Sequence, residues 1–239
     1  MWDNHRLLNG IASGLYAVSG VLILYGVLMA IIRLPIFPLR DVEVKGRVAH
    51  TTGDQVQAIL AGRLKGNFFT LDLEAVRTAF LKLPWVRQAK LRRQWPDRLE
   101  VEIEEHVALA RWRDSALVNT YGEVFEAATG EVLPIFIAPE GTSAKVAQQY
   151  ETFRQLLASL GKRPREVLLS ERLAWQLKLD DGDVLELGCS RMEERLQRFV
   201  WVHDRTLALL PAHPYRIDLR YPNGFAVRTQ AFGARAHGA

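Results

Sequence analysis

Residues 83–104 read LPWVRQAKLRRQWPDRLEVEIE and predict two paired strands joined by a turn. Apolar residues alternate with glutamates from Leu99 to Glu104, which is the period of a half-buried β-strand. Trp95-Pro-Asp-Arg98 has the composition of a turn, and the first strand should run from about Val86 to Gln94. Trp85 and Val86, where the first strand begins, are expected in or beside the core.

The same stretch bears on nucleic-acid binding. Five basic residues and a tryptophan pair between Trp85 and Arg98 resemble a patch for nucleic acid or anionic lipid. The next strand, however, carries glutamates at alternate positions. If the two strands pair, opposite charges meet across the sheet and neutralise each other. We therefore expect no nucleic-acid partner.

Two short helices and a strand precede this hairpin. Thr52-Gly-Asp-Gln55 has the form of a capping box, so a helix should begin there. A second helix should begin near Thr70 or Asp72. Upstream, Leu39–Gly46 alternates apolar with charged residues and ends in glycine, as a half-buried strand does. The order strand, helix, helix, strand, strand therefore occupies residues 38–107.

An uncharged segment of 23 residues, Gly10–Ile32, lies near the N-terminus. As a helix rising ~1.5 Å per residue it would be about 34 Å long, enough for a hydrocarbon core of ~30 Å. It exceeds the apolar region of a signal peptide, roughly 7–15 residues, and no A-x-A cleavage site follows it. We predict one uncleaved membrane span preceded by a short tail.

Charge counting leaves the orientation of this span open. The N-terminal tail carries Arg6 and the α-amino group, whereas Arg33, Arg40, Lys45 and Arg47 follow the span. The positive-inside rule would keep the larger part of the chain in the cytoplasm, but long domains are often translocated despite local charge.

Composition and motifs exclude several classes of protein. An apolar content of 49% with a formal net charge of +4 excludes a disordered chain. The lone cysteine, Cys189, excludes a disulfide framework and a cysteine-based zinc finger. No metalloprotease, P-loop, nucleophile-elbow or dinucleotide motif occurs, and His203 lies on the apolar stripe of its predicted helix. We expect no enzymatic activity, cofactor, metal or small-molecule substrate.

The rest of the chain is richer in strands than in helices. The turn dipeptides Tyr121-Gly122 and Asp181-Gly182 mark two hairpins. Apolar residues at helical spacing predict one helix near 146–160 and another behind Ser190-Arg-Met-Glu193, which has the form of a capping box. The last two predicted strands are Arg216–Tyr221 and Phe225–Gln230.

The last strand is expected to form an open sheet edge. The tail after it, residues 231–239, should be disordered and is too short to cover the strand. Unpaired backbone groups on such an edge are a template for strand addition. Side chains should alternate, with Phe225, Val227 and Thr229 on one face and Ala226, Arg228 and Gln230 on the other. One face should pack on the domain, and the other should meet solvent or a partner. The alternative is that this segment only completes the fold.

The motifs taken together resemble the FtsQ/DivIB family of bacterial cell division proteins. The resemblance covers about residues 2–230 and its motifs occur in order. They are Pro38–Gly46, Leu83-Pro-Trp-Val86, Arg92–Asp97, Leu99–Glu104, Ala110-Arg-Trp112, Gly122-Glu-Val-Phe125, Arg172-Leu-Ala-Trp175 and Ile217–Gly224.

This resemblance implies an α+β protein with a single N-terminal transmembrane helix. Its parts would be a cytoplasmic tail at 1–9, the transmembrane helix at 10–32, a POTRA domain at 38–107, a β-rich domain with flanking helices at 108–230 and the disordered tail at 231–239. The resemblance places both domains in the periplasm, the chain in the inner membrane and the protein at the division septum.

The function implied by the resemblance is that of a non-enzymatic scaffold. Such proteins form a ternary complex with FtsB and FtsL, contact other division proteins through the POTRA domain and help control septal peptidoglycan synthesis. The β domain would carry the FtsB and FtsL contact, with Arg172 facing an acidic residue of FtsB. The expected partner-binding residues are Arg172, Tyr221, Pro222, Asn223, Gly224, Phe225, Ala226, Val227, Arg228 and Thr229.

Two other functions are compatible with parts of the sequence. A POTRA protein of outer-membrane assembly or secretion would need a β-barrel and a cleaved signal peptide, for which 239 residues leave no room. The other alternative is an anchored periplasmic enzyme, which would be supported if a soluble fragment of the chain acted on cell-wall material. Depletion separates the first of these from a division protein, which predicts filamentous cells rather than outer-membrane defects.

Overall fold

The computed structural model describes residues 5–34, 38–46, 48–63, 66–113, 115–206, 214–222 and 224–229. The chain divides into two compact units, Met1–Glu105 and His106–Ala239. Each unit has its own apolar core. The predicted tail at 231–239 lies outside the described residues.

The N-terminal helix, α1 (His5–Arg33), is long and apolar. Its segment Asn9–Ile32 has a mean hydropathy of 2.4, and its most apolar window has no buried residue. A helix that exposes apolar side chains on all sides is suited to lipid rather than to a protein core. By length and composition, α1 can cross a membrane.

The rest of the first unit has the predicted order of elements. They are β1 (Asp41–Lys45), α2 (Gly53–Arg63), α3 (Leu73–Phe80), β2 (Val86–Gln94) and β3 (Arg98–Glu105). The sheet order is β1-β3-β2, with β1 parallel to β3 and β2 antiparallel to it. Val76 and Phe80 of α3 are fully buried together with Leu99 and Val101 of β3.

Short-range hydrogen bonds explain where the two helices begin. The predicted capping box forms: the backbone N–H of Gln55 donates to the Thr52 hydroxyl, 3.4 Å away, and the N–H of Thr52 donates to the Gln55 side chain at 3.1 Å. The Asp72 carboxylate accepts the N–H groups of Glu74 and Ala75, each at 3.0 Å, so Asp72 is the N-cap of α3.

Charges meet across β2 and β3 as the sequence predicts. In the antiparallel register Arg92 lies opposite Glu100, and their side chains are 3.4 Å apart. Arg87 and Glu104 form a second ion pair at 2.8 Å. The basic stretch therefore has carboxylate partners within its own sheet.

A single sheet of nine strands organises the described part of the second unit. Its strands are β4 (Ala108–Trp112), β5 (Ala116–Asn119), β6 (Val124–Phe125), β7 (Ile135–Ile137), β8 (Pro164–Leu169), β9 (Trp175–Leu179), β10 (Val184–Gly188), β11 (Tyr215–Asp218) and β12 (Ala226–Thr229). Their order is β12-β11-β10-β9-β8-β7-β4-β5-β6.

Two helices, α4 (Ser143–Leu157) and α5 (Met192–Thr206), contact this sheet and each other. Fully buried aromatic rings join the layers, namely Phe136 of β7, Phe153 of α4 and Phe199 of α5. His203 lies almost buried against the edge of the Phe199 ring, with 5.4 Å between ring centroids. It is the packed histidine that the apolar stripe predicts.

Several predicted element boundaries differ from the structure, among them those of α5 and β11. Helix α5 begins at Met192, one residue later than the predicted capping box requires, and Arg191 before it has a φ of +50°. Strand β11 ends at Asp218 rather than Tyr221, because the chain turns there towards β12. Helix and strand ends are the least defined part of a periodic pattern.

Trp85 is only half-buried, whereas Val86 beside it lies in the core. The indole stacks on the imidazole of His50, with ring centroids 3.7 Å apart and planes 12° apart. The ring therefore packs on His50 and is not one of the side chains that form the core cluster of the first unit.

We expect Trp85→Ala to lower the free energy of unfolding by about 2 kcal/mol, roughly half of the cost of deleting a fully buried ring. Urea unfolding of the detergent-solubilised chain measures this. Trp95→Ala is the matched control, because that ring is 74% exposed, and it should change stability by less than about 0.5 kcal/mol. Equal effects of Trp85→Ala and Trp95→Ala would contradict the half-buried position of Trp85.

Glu105 binds the segment that leads into α2. Its carboxylate accepts backbone N–H groups of Ala49 at 2.8 Å, His50 at 3.1 Å and Thr51 at 2.7 Å. Burial raises the pKa of Glu105, but hydrogen bonds from Thr51, Ala49 and His50 outweigh it. The pKa therefore lies below its usual value of 4.5.

The stability that this carboxylate contributes should be present above pH 4.5 and lost as the pH falls through the lower folded-state pKa. Glu105→Gln removes the charge and should weaken the segment by about 1–2 kcal/mol at neutral pH. Hydrogen exchange of the 49–51 amides measures this, compared between the wild-type chain and Glu105→Gln at neutral pH and in acid. A difference between the two proteins that did not shrink in acid would contradict the assignment.

Candidate partner-binding site

Strand β12 is the terminal strand of the nine-stranded sheet. It pairs antiparallel with β11, with Ile217 opposite Val227 and Asp218 opposite Ala226. No other described strand pairs with β12. One of its two backbone edges is therefore free to accept another strand.

The side chains of β12 divide between the core and solvent. Phe225, just before the strand, and Val227 pack half-buried against the core of the second unit. Arg228 and Thr229 are exposed, and Ala226 is half-buried. A partner strand would thus meet an edge that is already fixed to the domain through two apolar side chains.

Pairing register brings Arg172 to the same end of the sheet as Tyr221. Leu169 pairs with Trp175, Trp175 lies opposite Gly188, and β10 runs parallel to β11. The turn between β8 and β9, which holds Arg172, therefore lies at the sheet end where β11 leaves for β12. Strands β9 and β11 are about 10 Å apart at ~4.8 Å per strand.

Arg172, Tyr221 and Pro222 are exposed there. Gly224, which follows in the turn towards β12, is half-buried. No ion pair of Arg172 occurs among the described residues. Asn223, also predicted as a contact, lies outside the described residues. The structure therefore gathers nine of the ten predicted residues at one end and edge of the sheet.

Sequence reasoning missed Leu173, which follows Arg172 in the same turn. Its side chain is 45% exposed and its φ is +58°, in the left-handed region that non-glycine residues rarely adopt. A strained, exposed leucine is unusual unless the surrounding structure requires it. The sequence does place Leu173 in the turn between β8 and β9. Hydrophobic periodicity, however, gives no information about backbone strain.

Sequence reasoning also missed an ion network on the exposed face beside the edge. The Glu186 carboxylate lies 2.6 Å from Arg216 and 3.2 Å from Arg220, and Arg220 lies 2.6 Å from Asp218. The hydrogen bond from Arg220 lowers the pKa of Asp218 despite partial burial. Asp218 thus remains charged at neutral pH.

With exposed Arg228 included, three arginines face two carboxylates on this surface. These five residues therefore carry a positive excess of one charge, while in the neighbouring turn exposed Arg172 is accompanied by exposed Glu171. Such an excess favours approach of an acidic partner more than it adds to affinity.

Helix α5 holds the turn between β11 and β12. The Arg198 guanidinium donates to the carbonyl oxygens of Pro222 and Tyr221, the latter at 2.9 Å, and approaches that of Leu219 at 3.5 Å. One side chain therefore fixes three carbonyl groups in the segment that leads to the edge strand.

The described part of the chain contains no candidate metal site. No group of three or more histidine, cysteine, aspartate or glutamate residues is arranged there to hold an ion. Cys189 is exposed and unpaired.

An apolar helix long enough to cross a membrane, a β-α-α-β-β unit and a β-rich unit with flanking helices define an α+β protein with a candidate membrane anchor. Family comparisons agree with this class. Residues 37–106 match the POTRA domain, FtsQ-type, and residues 110–220 match the cell division protein FtsQ/DivIB C-terminal domain. The second match ends before β12.

Similar proteins extend this comparison to nearly the whole chain. The cell division protein FtsQ of Nitrosospira multiformis is 43% identical over 233 residues, which are 95% of this chain and 99% of the relative. FtsQ of Burkholderia pseudomallei is 41% identical over 95% of this chain and 94% of its own length. FtsQ of Neisseria gonorrhoeae is 31% identical over 95% of both chains. The chain belongs to the FtsQ family of cell division proteins.

Replacing Arg198 should loosen the edge without unfolding the unit. Arg198→Met keeps the apolar stem of the side chain but loses the hydrogen bonds to the 219–222 carbonyls, each worth about 1 kcal/mol. We expect faster hydrogen exchange in residues 225–229 and unchanged exchange in β8 and β9. Arg205→Met, on the exposed end of the same helix, is the control. Unchanged exchange at 225–229 would show that α5 does not hold the turn.

Proposed function

We propose that this chain is a non-enzymatic scaffold of the cell division machinery that binds FtsB and FtsL. Helix α1 anchors it in the inner membrane with the short tail in the cytoplasm and both units in the periplasm, at the division septum. Residues 38–107 act as the POTRA domain and 108–230 as the partner-binding β domain. The complex links early and late division proteins and controls septal peptidoglycan synthesis.

The observation that carries this proposal is the open edge of β12. A short segment of FtsB adds to it as a further strand, so that backbone N–H and C=O groups supply most of the contact. Side chains beside this edge then determine which partner binds. Arg172 and Tyr221 lie at the same end of the sheet, and the positive excess there suits an acidic residue of FtsB.

The POTRA domain offers a different kind of surface. Ion pairs across β2 and β3 leave no large field of one sign on its sheet. We propose that it contacts other division proteins, and that FtsL joins FtsB on the β domain in a ternary complex. The anchor confines all of these partners to one membrane, which raises their effective concentration without new contacts.

Proline substitution at the edge tests strand addition directly. In an antiparallel pair successive residues direct their backbone groups to opposite sides. Ala226 and Arg228 therefore share one direction and Val227 has the other. Proline at an outward position removes a donor to the partner and leaves the ladder with β11 intact.

We expect at least one of Ala226→Pro, Val227→Pro and Arg228→Pro to fold and to lose about tenfold or more in affinity for FtsB, equivalent to ~1.4 kcal/mol. Isothermal titration with the periplasmic part of FtsB measures binding, and circular dichroism measures folding. Val124→Pro, in the strand β6 at the other edge of the sheet, is the control and should bind normally.

If every folded proline variant bound FtsB at wild-type strength, the edge-strand site would be wrong. If Arg172→Glu alone abolished binding, the contact would run through side chains of the neighbouring surface instead. In cells, a chain that cannot bind FtsB should leave filaments with unconstricted septa.

A further inference from the structure

A buried asparagine ties the loop between α2 and α3 to the end of α1. The Asn67 side chain is 4% exposed. Its Nδ2 donates to the carbonyl oxygens of Ile32 at 2.6 Å and Leu34 at 2.9 Å. Those carbonyls lie at the C-terminal end of a helix, where no intrahelical N–H is available to them.

The other end of the same amide organises the loop itself. Its Oδ1 accepts the backbone N–H groups of Phe69 at 3.0 Å and Thr70 at 2.9 Å, and the Thr70 hydroxyl at 2.9 Å. The two ends of the amide thus perform separate tasks. The oxygen folds the loop, and the nitrogen fastens the loop to α1.

This fastening sets the depth of the loop relative to a membrane. The span Asn9–Ile32 has 24 residues and is about 36 Å long, so each end extends about 3 Å beyond a ~30 Å hydrocarbon core. The Ile32 carbonyl therefore lies in the headgroup layer, roughly 5–7 Å thick on each side. Asn67, hydrogen-bonded to it, lies at the same depth.

Phe69 follows Asn67 by two residues, so their Cα atoms are at most about 7.6 Å apart. Its ring is 45% exposed, and its neighbour Phe68 is buried and meets it edge-on at 5.2 Å. Leu34, which Asn67 also binds, is 42% exposed. Phenylalanine and leucine are the side chains that interfacial segments bury at the boundary of headgroups and acyl chains.

We propose that the loop Gly66–Leu71 contacts lipid, with Phe69 inserted into the membrane interface and Asn67 holding the loop there. This rests on the proposed anchoring by α1. The occupant is lipid rather than protein because the loop is continuous, through the Asn67 hydrogen bonds, with the end of the span. A consequence is that the POTRA domain has a fixed attachment to the membrane rather than a free tether.

The structure supplies an internal control at the far end of the same sheet. Arg93 donates to the Leu71 carbonyl at 2.6 Å, so the loop adjoins the residues that pair with Leu99. Glu105 lies six residues further along β3, about 20 Å away at ~3.3 Å per residue. Val48 precedes the segment bound to Glu105 and is 40% exposed, close to the value for Phe69.

Depth-dependent quenching in the full chain tests the proposal. Single cysteines replace Phe69, Val48 or Leu22 in a Cys189→Ser background and carry a polarity-sensitive fluorophore. The proteins are placed in nanodiscs whose lipids bear a quencher near the headgroup or deep in the acyl chains. We expect the label at 69 to be quenched several-fold more by the shallow quencher than the label at 48, and the label at 22 to be quenched by the deep one.

Equal quenching at 69 and 48, with normal quenching at 22, would overturn this inference and leave the anchor intact. Absence of quenching at 22 would instead overturn the anchoring on which it rests. The two failures are therefore distinguishable within one set of samples.

Asn67→Asp then separates the fastening from the folding of the loop. At pH 8 the carboxylate still accepts the three loop hydrogen bonds but has no N–H to donate to Ile32 and Leu34. Quenching at 69 should fall to the level at 48. Thr70→Val removes the two loop hydrogen bonds of the Thr70 hydroxyl, one accepted from the Asn67 backbone N–H and one donated to Asn67 Oδ1, but keeps the fastening, so it should leave the quenching high. Undiminished quenching in Asn67→Asp would overturn the role of Asn67.

Discussion

The second unit depends on one buried carboxylate, that of Asp183, which is 1% exposed. It accepts the Lys162 ammonium at 3.1 Å and the backbone N–H of Tyr215 at 2.8 Å. Residues that begin or precede β8, β10 and β11 therefore meet at a single point. Among the described strands β12 pairs only with β11, so this carboxylate helps to position the proposed partner-binding edge, together with Arg198 and the packing of Phe225 and Val227.

Lys162 is the partner that allows this carboxylate to be buried. Burial lowers the pKa of Lys162, but hydrogen bonds and charge from Asp181 and Asp183 outweigh burial and raise it above 10.5. The ammonium therefore stays charged throughout the physiological range. Removing Lys162 would leave the buried Asp183 carboxylate without its counter-charge, and breaking such a pair typically costs ~3–5 kcal/mol.

The features of the fold that the sequence predicted are those set by residues close together in the chain. The capping box at Thr52, the hairpin after Val86 and the helix ending at Gly161 all rest on residues close in sequence. The strand order could not be predicted in the same way. The parallel pairs β4–β7, β7–β8 and β10–β11 have no connecting turn whose residues signal the pairing.

The candidate site shows the same division. The edge strand could be predicted because it is the last strand, and Arg172 entered only through resemblance to a family. Arg198 and Asn67 were missed because each binds backbone carbonyls more than 20 residues away. A hydrogen bond from a side chain to distant backbone leaves no periodic pattern in the sequence.

An open edge strand must attract one partner without pairing with copies of itself. Strand β12 has only four residues and carries the exposed Arg228, and short, charged edges resist self-association. Arg216 and Arg220 are paired with Glu186 and Asp218, so a second copy of this edge would bring a second unpaired positive excess, at its own Arg228, against the first. An acidic strand meets no such repulsion. The positive excess that opposes pairing between copies therefore fits the acidic partner proposed for this edge.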